Sequence, residues 1–493
     1  MQMMNKKNAL SLLLAALLAA SSLVSCGEKT DDTKNADTTA ATTQTTETEE
    51  TGYPLGLPED LDYGGTSITV LGWQHYEDVE FDAEEMTGET VNDAIYKRNA
   101  LVADRLNVSL TFLEENGRAG DTSWMNLVTN ANTAGDGAYD FVAGHSNNIG
   151  ALTYTEQFLN MLDYDYLDFQ APWWRESLIE KATILNKLYF ATGDIAPSSL
   201  GRSQGIFFNG KLLTDYGLED PYELVVSGEW TFDKMEEMAT GTYIDLNSDG
   251  KAQEANDQFG FSIDGIQVQA LALSSGIVSV SANENGILTI DPDYMSERTV
   301  SLVEKWTSFL HDSPDTTFIK VGDDATVFKE GRSLFYAFPL GLISSELRDL
   351  DFDVGFVPYP MFDEVQGDYV VCTSNAYSLW AIPLAAKDPA MSAAVMEYMA
   401  YAGNLIVIPA IFETCYKVKY NTTDSMLQSE VFDIVRSNLI FDIGRIMNSS
   451  LNNVFGIVSE VINSGSGNFA SKMASSQSGI EKKLEQWMEA ISE

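Results

Sequence analysis

Cysteine, histidine and basic side chains are all scarce in this chain of 493 residues. It has three cysteines and three histidines, and 29 lysines and arginines stand against 73 aspartates and glutamates, a formal net charge of −44. No Cys-x-x-Cys occurs and His75, His145 and His311 lie far apart, so the usual ligand spacing of a zinc centre is missing. The acid excess argues against nucleic acid and anionic lipid surfaces as electrostatic partners. His-Glu-x-x-His and Gly-x-x-x-x-Gly-Lys-Ser/Thr are also absent, which removes the common metalloprotease and nucleotide-binding signatures, while Gly201-Arg202-Ser203-Gln204-Gly205 matches the bare Gly-x-Ser-x-Gly string. Beyond the first 25 residues no apolar run reads as a membrane span, and Leu405–Phe412 reads as a short buried run.

The amino terminus is rich in information. Lys6 and Lys7 precede an apolar stretch from Ala9 to Ala20, interrupted only by Ser11, long enough for a secretory signal and too short for a permanent span. It leads to Leu23-Val24-Ser25-Cys26-Gly27, which resembles the bacterial lipobox. The resemblance implies cleavage after residue 25 and lipidation of Cys26. Residues 26–52, almost entirely Thr, Asp, Glu, Lys, Ala and Gln, cannot bury enough apolar surface to offset ordering entropy. They are expected to form a disordered tether holding a folded body off the membrane, which places the protein outside the cytoplasm.

A body of about 440 residues exceeds one ordinary core, so two lobes are expected. It opens with strand-like Ser67–Leu71, a helix from Val91 to Leu106 with Thr90 and Asp93 as a capping pair, strand-like Val108–Leu113, a helix over Ser123–Thr133, and strand-like Tyr139–Gly144. This alternation predicts an α/β fold of mostly parallel sheets flanked by helices. Leu188–Thr192, Gly205–Asn209, Ser333–Phe338 and Phe352–Val357 read as further strands. Thr231–Thr240, Ser296–His311, Pro389–Tyr401, Met426–Asn438, Ser450–Asn463 and Ser478–Ile491 read as helices.

Four segments, in order, resemble the extracellular solute-binding proteins of carbohydrate-type ABC importers, maltodextrin-binding proteins among them. They are Gly88–Asn99 with Leu106-Asn107-Val108; Phe207–Leu213 with Glu229–Met235; Gly331–Tyr336 with Val354–Pro360; and Ala381-Ile382-Pro383 with Lys387-Asp388-Pro389. The resemblance implies a two-lobed, type II periplasmic-binding-protein-like fold with a ligand cleft between discontinuous lobes. Residues 53–165 with 330–372 would form lobe 1, and 166–329 with 373–493 lobe 2. It further implies a monomer that binds an oligosaccharide without catalysis and delivers it to membrane permease subunits.

In open α/β sheets ligands meet the carboxyl ends of strands, and sugars need both aromatic faces and fixed polar partners. Trp73 and His145 follow strands directly, with Asn147 and Asn148 beside the latter. Trp173 and Trp174 lie near the crossover, one expected in the cleft and the other in the core. Asp194, Trp230, Tyr336, Phe338, Asn375 and Tyr377 complete the candidates; each has core packing or a turn as its alternative. Separately, Asp245, Asn247, Asp249 and Lys251 match the first half of a calcium loop, with Asp257 or Glu254 to close it, which would hold a structural Ca2+. With Cys26 lipidated, Cys372 and Cys415 remain either as a disulfide or as buried thiols. Rival readings are an exported glycan-binding or glycan-hydrolysing surface protein, and a binder of peptides or another solute.

Overall fold

Two sheets built from interleaved stretches of chain carry the architecture. The computed structural model describes residues 53–74, 80–253, 255–319, 321, 325–347, 350–416 and 425–492; Cys26 and the expected tether lie outside them, as does the side chain of Cys415. The first sheet contains β1 (Thr66–Trp73), β2 (Val108–Glu115), β3 (Phe141–His145) and β12 (Ser378–Ala381), in the spatial order β12-β3-β1-β2. β1 runs parallel to β2 in unbroken register from Thr66 opposite Val108 to Trp73 opposite Glu115, and parallel to β3; β12 is antiparallel to β3. The second sheet contains β4 (Gln204–Asn209), β5 (Phe259–Asp264), β8 (Thr316–Ile319), β9 (Ser333–Pro339) and β10 (Val354–Val357), in the order β10-β4-β9-β5-β8. Here β5 is parallel to β8 and β9, while β4 is antiparallel to β9 and β10. Two small pairs complete the strands: β6 (Val280–Ala282) with β7 (Leu288–Ile290), and β11 (Val371–Cys372) with β13 (Leu439–Ile440).

Local chemistry sets the element ends. The helix Thr90–Leu106 stops at Asn107, which adopts φ 49° and returns its N–H to the Ala103 carbonyl, so Val108 enters β2 at once. Its amino end differs from expectation: Glu89 is the N-cap without a side-chain bond, and Asp93 instead accepts N–H groups from Thr87 and Gly88. The helix Thr122–Ala134 is capped by Asp121, whose carboxylate accepts from Ser123 and Trp124, and it ends at Gly135 with φ 61°.

Strand pairing revises the expected lobe boundaries. β9 and β10 hydrogen-bond within the second sheet, so residues 330–357 belong with 204–319 and not with the first lobe. β12 joins the first sheet, and the helix Pro389–Ala402 packs on Thr90–Leu106, so both belong to the first lobe. The chain then returns: Ser425–Ser437 packs on the helix Pro221–Ser227, and Gly456–Asn463 and Phe469–Ser492 pack with Glu297–Asp312. A strand's own composition records that it will be buried but not which edge it joins.

Two further expectations change. Leu188–Thr192 makes a single bridge, Ala191 to Trp380, and is a crossing segment, not a strand. The apolar region around Leu405 is longer than it reads: one helix, Pro389–Phe412, is 24 residues and apolar enough to cross a membrane, yet 61% of its apolar window is buried inside the fold. Burial against Thr90–Leu106 makes it a core helix. Its Gly403–Val407 turn is π-helical, and a Cβ on Gly403 would sit 2.0 Å from the Asp194 carbonyl oxygen. Only glycine lets the two backbones approach so closely.

Candidate functional site at the seam between the lobes

Because β1, β2 and β3 are parallel, their carboxyl ends share one edge of the first sheet, where antiparallel β12 begins. In the second sheet β5, β8 and β9 end together, where antiparallel β4 begins at Gln204. Chain crossings join these two edges. Ser203 and Thr373 form an antiparallel bridge, Ser374 N donates to the Arg202 carbonyl (2.8 Å), and Leu340 N donates to the Ser203 carbonyl (2.8 Å). The seam is therefore the place where strand polarity directs a ligand.

Ser146, Leu273, Thr373, Tyr377, Asp442 and Arg445 line a cavity at this seam of about 10 Å³, room for about one water. Ser146 ties the first lobe to the crossing: its N–H donates to the Tyr377 carbonyl (3.0 Å) and its hydroxyl to the Asn375 carbonyl (2.6 Å). Asp442 is buried, accepts from Ser279 N and Oγ, and caps the turn that carries Arg445. Burial pushes its carboxyl, and the Tyr377 phenol, above their ordinary ranges. A Cβ on Gly444 would stand 2.2 Å from Ser279 Oγ, so this turn is pressed against the second lobe. A larger groove of about 500 Å³, lined by Thr66, Thr69, Asp140 and Lys387, lies at the amino ends of β1 and β3, the opposite edge of the sheet. Strand polarity favours the seam over this groove despite its size.

Next to the seam, buried Glu80 pins the crossings. It accepts from Ser198 N (3.0 Å) and Ser198 Oγ (2.7 Å), and Ser198 Oγ in turn takes the Ser378 N–H (3.1 Å). Burial raises the Glu80 carboxyl to about 7, against the pull of the Ser198 and Ser378 hydrogen bonds and the Arg98 charge.

The structure brings Asn375 and Tyr377 to the seam and leaves Phe338 partly exposed at the end of β9. It gives the other candidates core duties. Trp73 is fully buried, meets His145 edge-on (4.9 Å between centroids) and donates its indole N–H to Ser378 Oγ (3.0 Å). His145 caps the helix Ser146–Tyr154 by accepting the Asn147 N–H through Nδ1. Asn148 bonds the Gly117 and Arg118 carbonyls and accepts from Gly120 N, holding a loop. Trp173 and Trp174 do not divide between cleft and core: both are buried, and both indoles donate to Glu397, to Oε1 (2.9 Å) and Oε2 (2.8 Å).

Asp194 is a fully buried strut, not an open carboxylate. It pairs with Arg175 (2.8 Å), accepts from Asn404 (2.6 Å) and reaches Arg436 at 3.5 Å. Trp230 packs on Phe335 and donates to the Pro358 carbonyl (2.9 Å). Tyr336 stands in a stack between Phe328 and Phe338, with centroids 5.5 and 5.3 Å apart. Sequence reasoning passed over Ser146, Thr373, Asp442 and Arg445. Ser146 directly follows a strand that was recognised, so position alone could have found it. Thr373 and Arg445 are joined only by the fold.

The acidic loop is organised by its own backbone. Asp245 accepts from Asp249 N and Gly250 N, Asn247 from Asp249 N, Asp249 from Lys251 N, and buried Asp257 from Leu246 N and Gln253 N. Among the described residues no three His, Cys, Asp or Glu side chains gather to hold a metal ion. Cys372 is a free, fully buried thiol, the second of its two alternatives, and the side chain of Cys415 lies outside the described residues.

No protein-family model matches the sequence, and no curated protein matches it. Solved structures do. An ABC substrate-binding protein from Listeria monocytogenes, in complex with cycloalternan, superposes with a TM-score of 0.53 at 13% identity, covering 85% of this chain and 99% of that one. The GacH receptor of Streptomyces glaucescens, solved unliganded and with acarbose, gives 0.55 at 13%, covering 85% and 99%. The galacto-N-biose-/lacto-N-biose I-binding protein of a Bifidobacterium longum ABC transporter gives 0.54 at 10%, covering 86% and 98%. The chain shares their fold: two α/β lobes around a seam.

Proposed function

We propose that this chain is the substrate-binding component of an ABC importer. In this reading it captures an extracellular oligosaccharide between its lobes, leaves it chemically unchanged and passes it to permease subunits. The observation that carries the reading is the meeting of two carboxyl-end sheet edges at a seam crossed by the chain, in a fold shared over some 85% of its length with proteins solved in complex with saccharides. Seam chemistry supports it: Ser146, Thr373 and Asn375 offer polar groups suited to hydroxyls, beside the rings of Tyr377 and Phe441. Opening and closing would be a hinge motion of the two lobes about the crossings.

Lipidation of Cys26 is part of the proposal. It would keep the cleft beside a membrane permease, with residues 26–52 as the tether and the body acting as a monomer. A Ca2+ ion at Asp245, Asn247, Asp249, Lys251 and Asp257 is a secondary proposal resting on spacing alone. Millimolar Ca2+ against a chelator should then raise the unfolding midpoint, and an unchanged midpoint would dismiss the ion.

Thermal-shift screening of the chain against oligosaccharides and peptides tests the main reading. A ligand at one hundred times its Kd adds about 2.7 kcal/mol of stability, so a true substrate stands out. A saccharide is expected to raise the midpoint. Stabilisation by peptides alone would overturn the sugar assignment, and release of reducing sugar would replace binding with hydrolysis.

A further inference from the structure

We infer that the ligand of this seam is an acidic oligosaccharide, of the uronate class, whose carboxylate is received by Arg445. The inference rests on the importer reading above and narrows its substrate.

Arg445 is 6% exposed and lines the seam cavity with Thr373 and Tyr377. Nη1 donates to the Thr373 carbonyl, and the group lies 4.9 Å over the Phe455 ring. Nothing anionic completes the set. No carboxylate forms an ion pair with Arg445 among the described residues, and its Nε has no hydrogen-bond partner there. Burying a cation without a counter-charge costs several kcal/mol. The chain has 73 acids with which to avoid that cost, and it does so at buried Arg175, paired with Asp194, while buried Arg98, held by the Phe81 and Ile195 carbonyls, keeps the charge of Glu80 nearby. The nearby Asp442 is already committed to Ser279 and to the backbone N–H of its own turn.

Arg445 Nε is thus without a partner, with the Cys372 thiol as a weak neutral neighbour of the same guanidinium; Nε with Nη2 is the fork that grips a carboxylate through two parallel hydrogen bonds, and a carboxylate would outcompete a thiol for it. Other buried atoms at the seam are also without partners among the described residues: Thr373 Oγ1, Ser203 Oγ and Gln204 Oε1. Hydroxyl and amide oxygens of this kind match the hydroxyls of a sugar and do not compete for a carboxylate. The combination is one cation with a free edge among several hydroxyl-matching groups, as a uronic acid residue requires. The cavity holds about one water as it stands, so the lobes must part to admit the ligand.

The test is calorimetric titration of the full chain with a panel of oligogalacturonates and unsaturated uronate disaccharides, each beside its neutral methyl ester, and with neutral oligosaccharides. The expected result is at least one acid that binds tenfold or more tighter than its ester, with that preference lost in Arg445→Gln and partly kept in Arg445→Lys. If Arg445→Gln does not fold, the acid-to-ester ratio on the parent protein decides. Binding of a neutral oligosaccharide with no preference for any acid overturns this inference and leaves the importer reading intact. Failure of every saccharide, acidic or neutral, overturns the sugar assignment on which this inference rests.

Discussion

Replacing Glu397 by glutamine should produce a stability difference that changes with pH. Glu397 is fully buried and receives three donors: the indoles of Trp173 and Trp174 and the Asp168 N–H. Burial raises its carboxyl from the ordinary 4.5 to about 7, and the two indole hydrogen bonds restrain the rise. Below pH 4.5 both folded and unfolded chains hold the proton, and above about 7 neither does. Between these values the folded state binds a proton that the unfolded chain has released, so stability falls as pH rises through the window. At about 1.4 kcal/mol per pH unit the loss over the whole window is about 3.5 kcal/mol. Glutamine does not titrate, but its amide nitrogen cannot accept from an indole, so one buried N–H loses its acceptor at a cost of about 1–3 kcal/mol. Glu397→Gln should therefore be less stable than the parent at pH 5 and as stable or more stable at pH 8. Denaturant unfolding followed by tryptophan fluorescence measures both, since Trp173 and Trp174 report on the site directly. A parent-to-variant difference that is the same at pH 5 and pH 8 would refute the reasoning.

Two further outcomes follow from the buried contacts. Asp194→Asn leaves Arg175 buried without its charge partner and should cost about 3–5 kcal/mol, read as a lower denaturant midpoint; an unchanged midpoint would show that the pair is not a strut. Cys372 is buried and burial raises its thiol, so parent and Cys372→Ala should label equally with a thiol reagent in native buffer and differ by one thiol in guanidinium. A native difference of one thiol would contradict the burial.

The contrast between Trp73 and Ser146 shows what was legible in the sequence. Strand and helix periodicity located β1, β2, β3 and their helices to within a few residues, because local apolar spacing is enough to define an amphipathic element. It missed β5, Phe-Gly-Phe-Ser-Ile-Asp, where glycine and serine interrupt the apolar signal although all six residues are buried. The rule that ligands meet strand ends pointed to the edge of the first sheet that meets the seam, but chose the largest side chains on it. Trp73 and His145 are large because they fill the lobe beneath that edge, whereas the seam itself is lined by smaller residues such as Ser146 and Thr373. Trp173, Trp174 and Asp194 misled for the same reason: indole N–H groups and a carboxylate are as useful for satisfying Glu397 and Arg175 as for holding sugar. Arg445 lies 299 positions beyond Ser146 in sequence, and Asn147, the next residue, donates to its carbonyl (3.2 Å); only tertiary contact relates them.

Capture of a sugar at the seam without turnover is the central claim. Equilibrium titration of the full chain with the stabilising saccharide, followed by recovery of the sugar, tests it most directly. The account predicts saturation at one saccharide per chain, loss of that binding when the seam residues Thr373 and Arg445 are replaced together, and recovery of the saccharide at its original length. Undiminished binding in the double variant, or a shortened sugar, would contradict it.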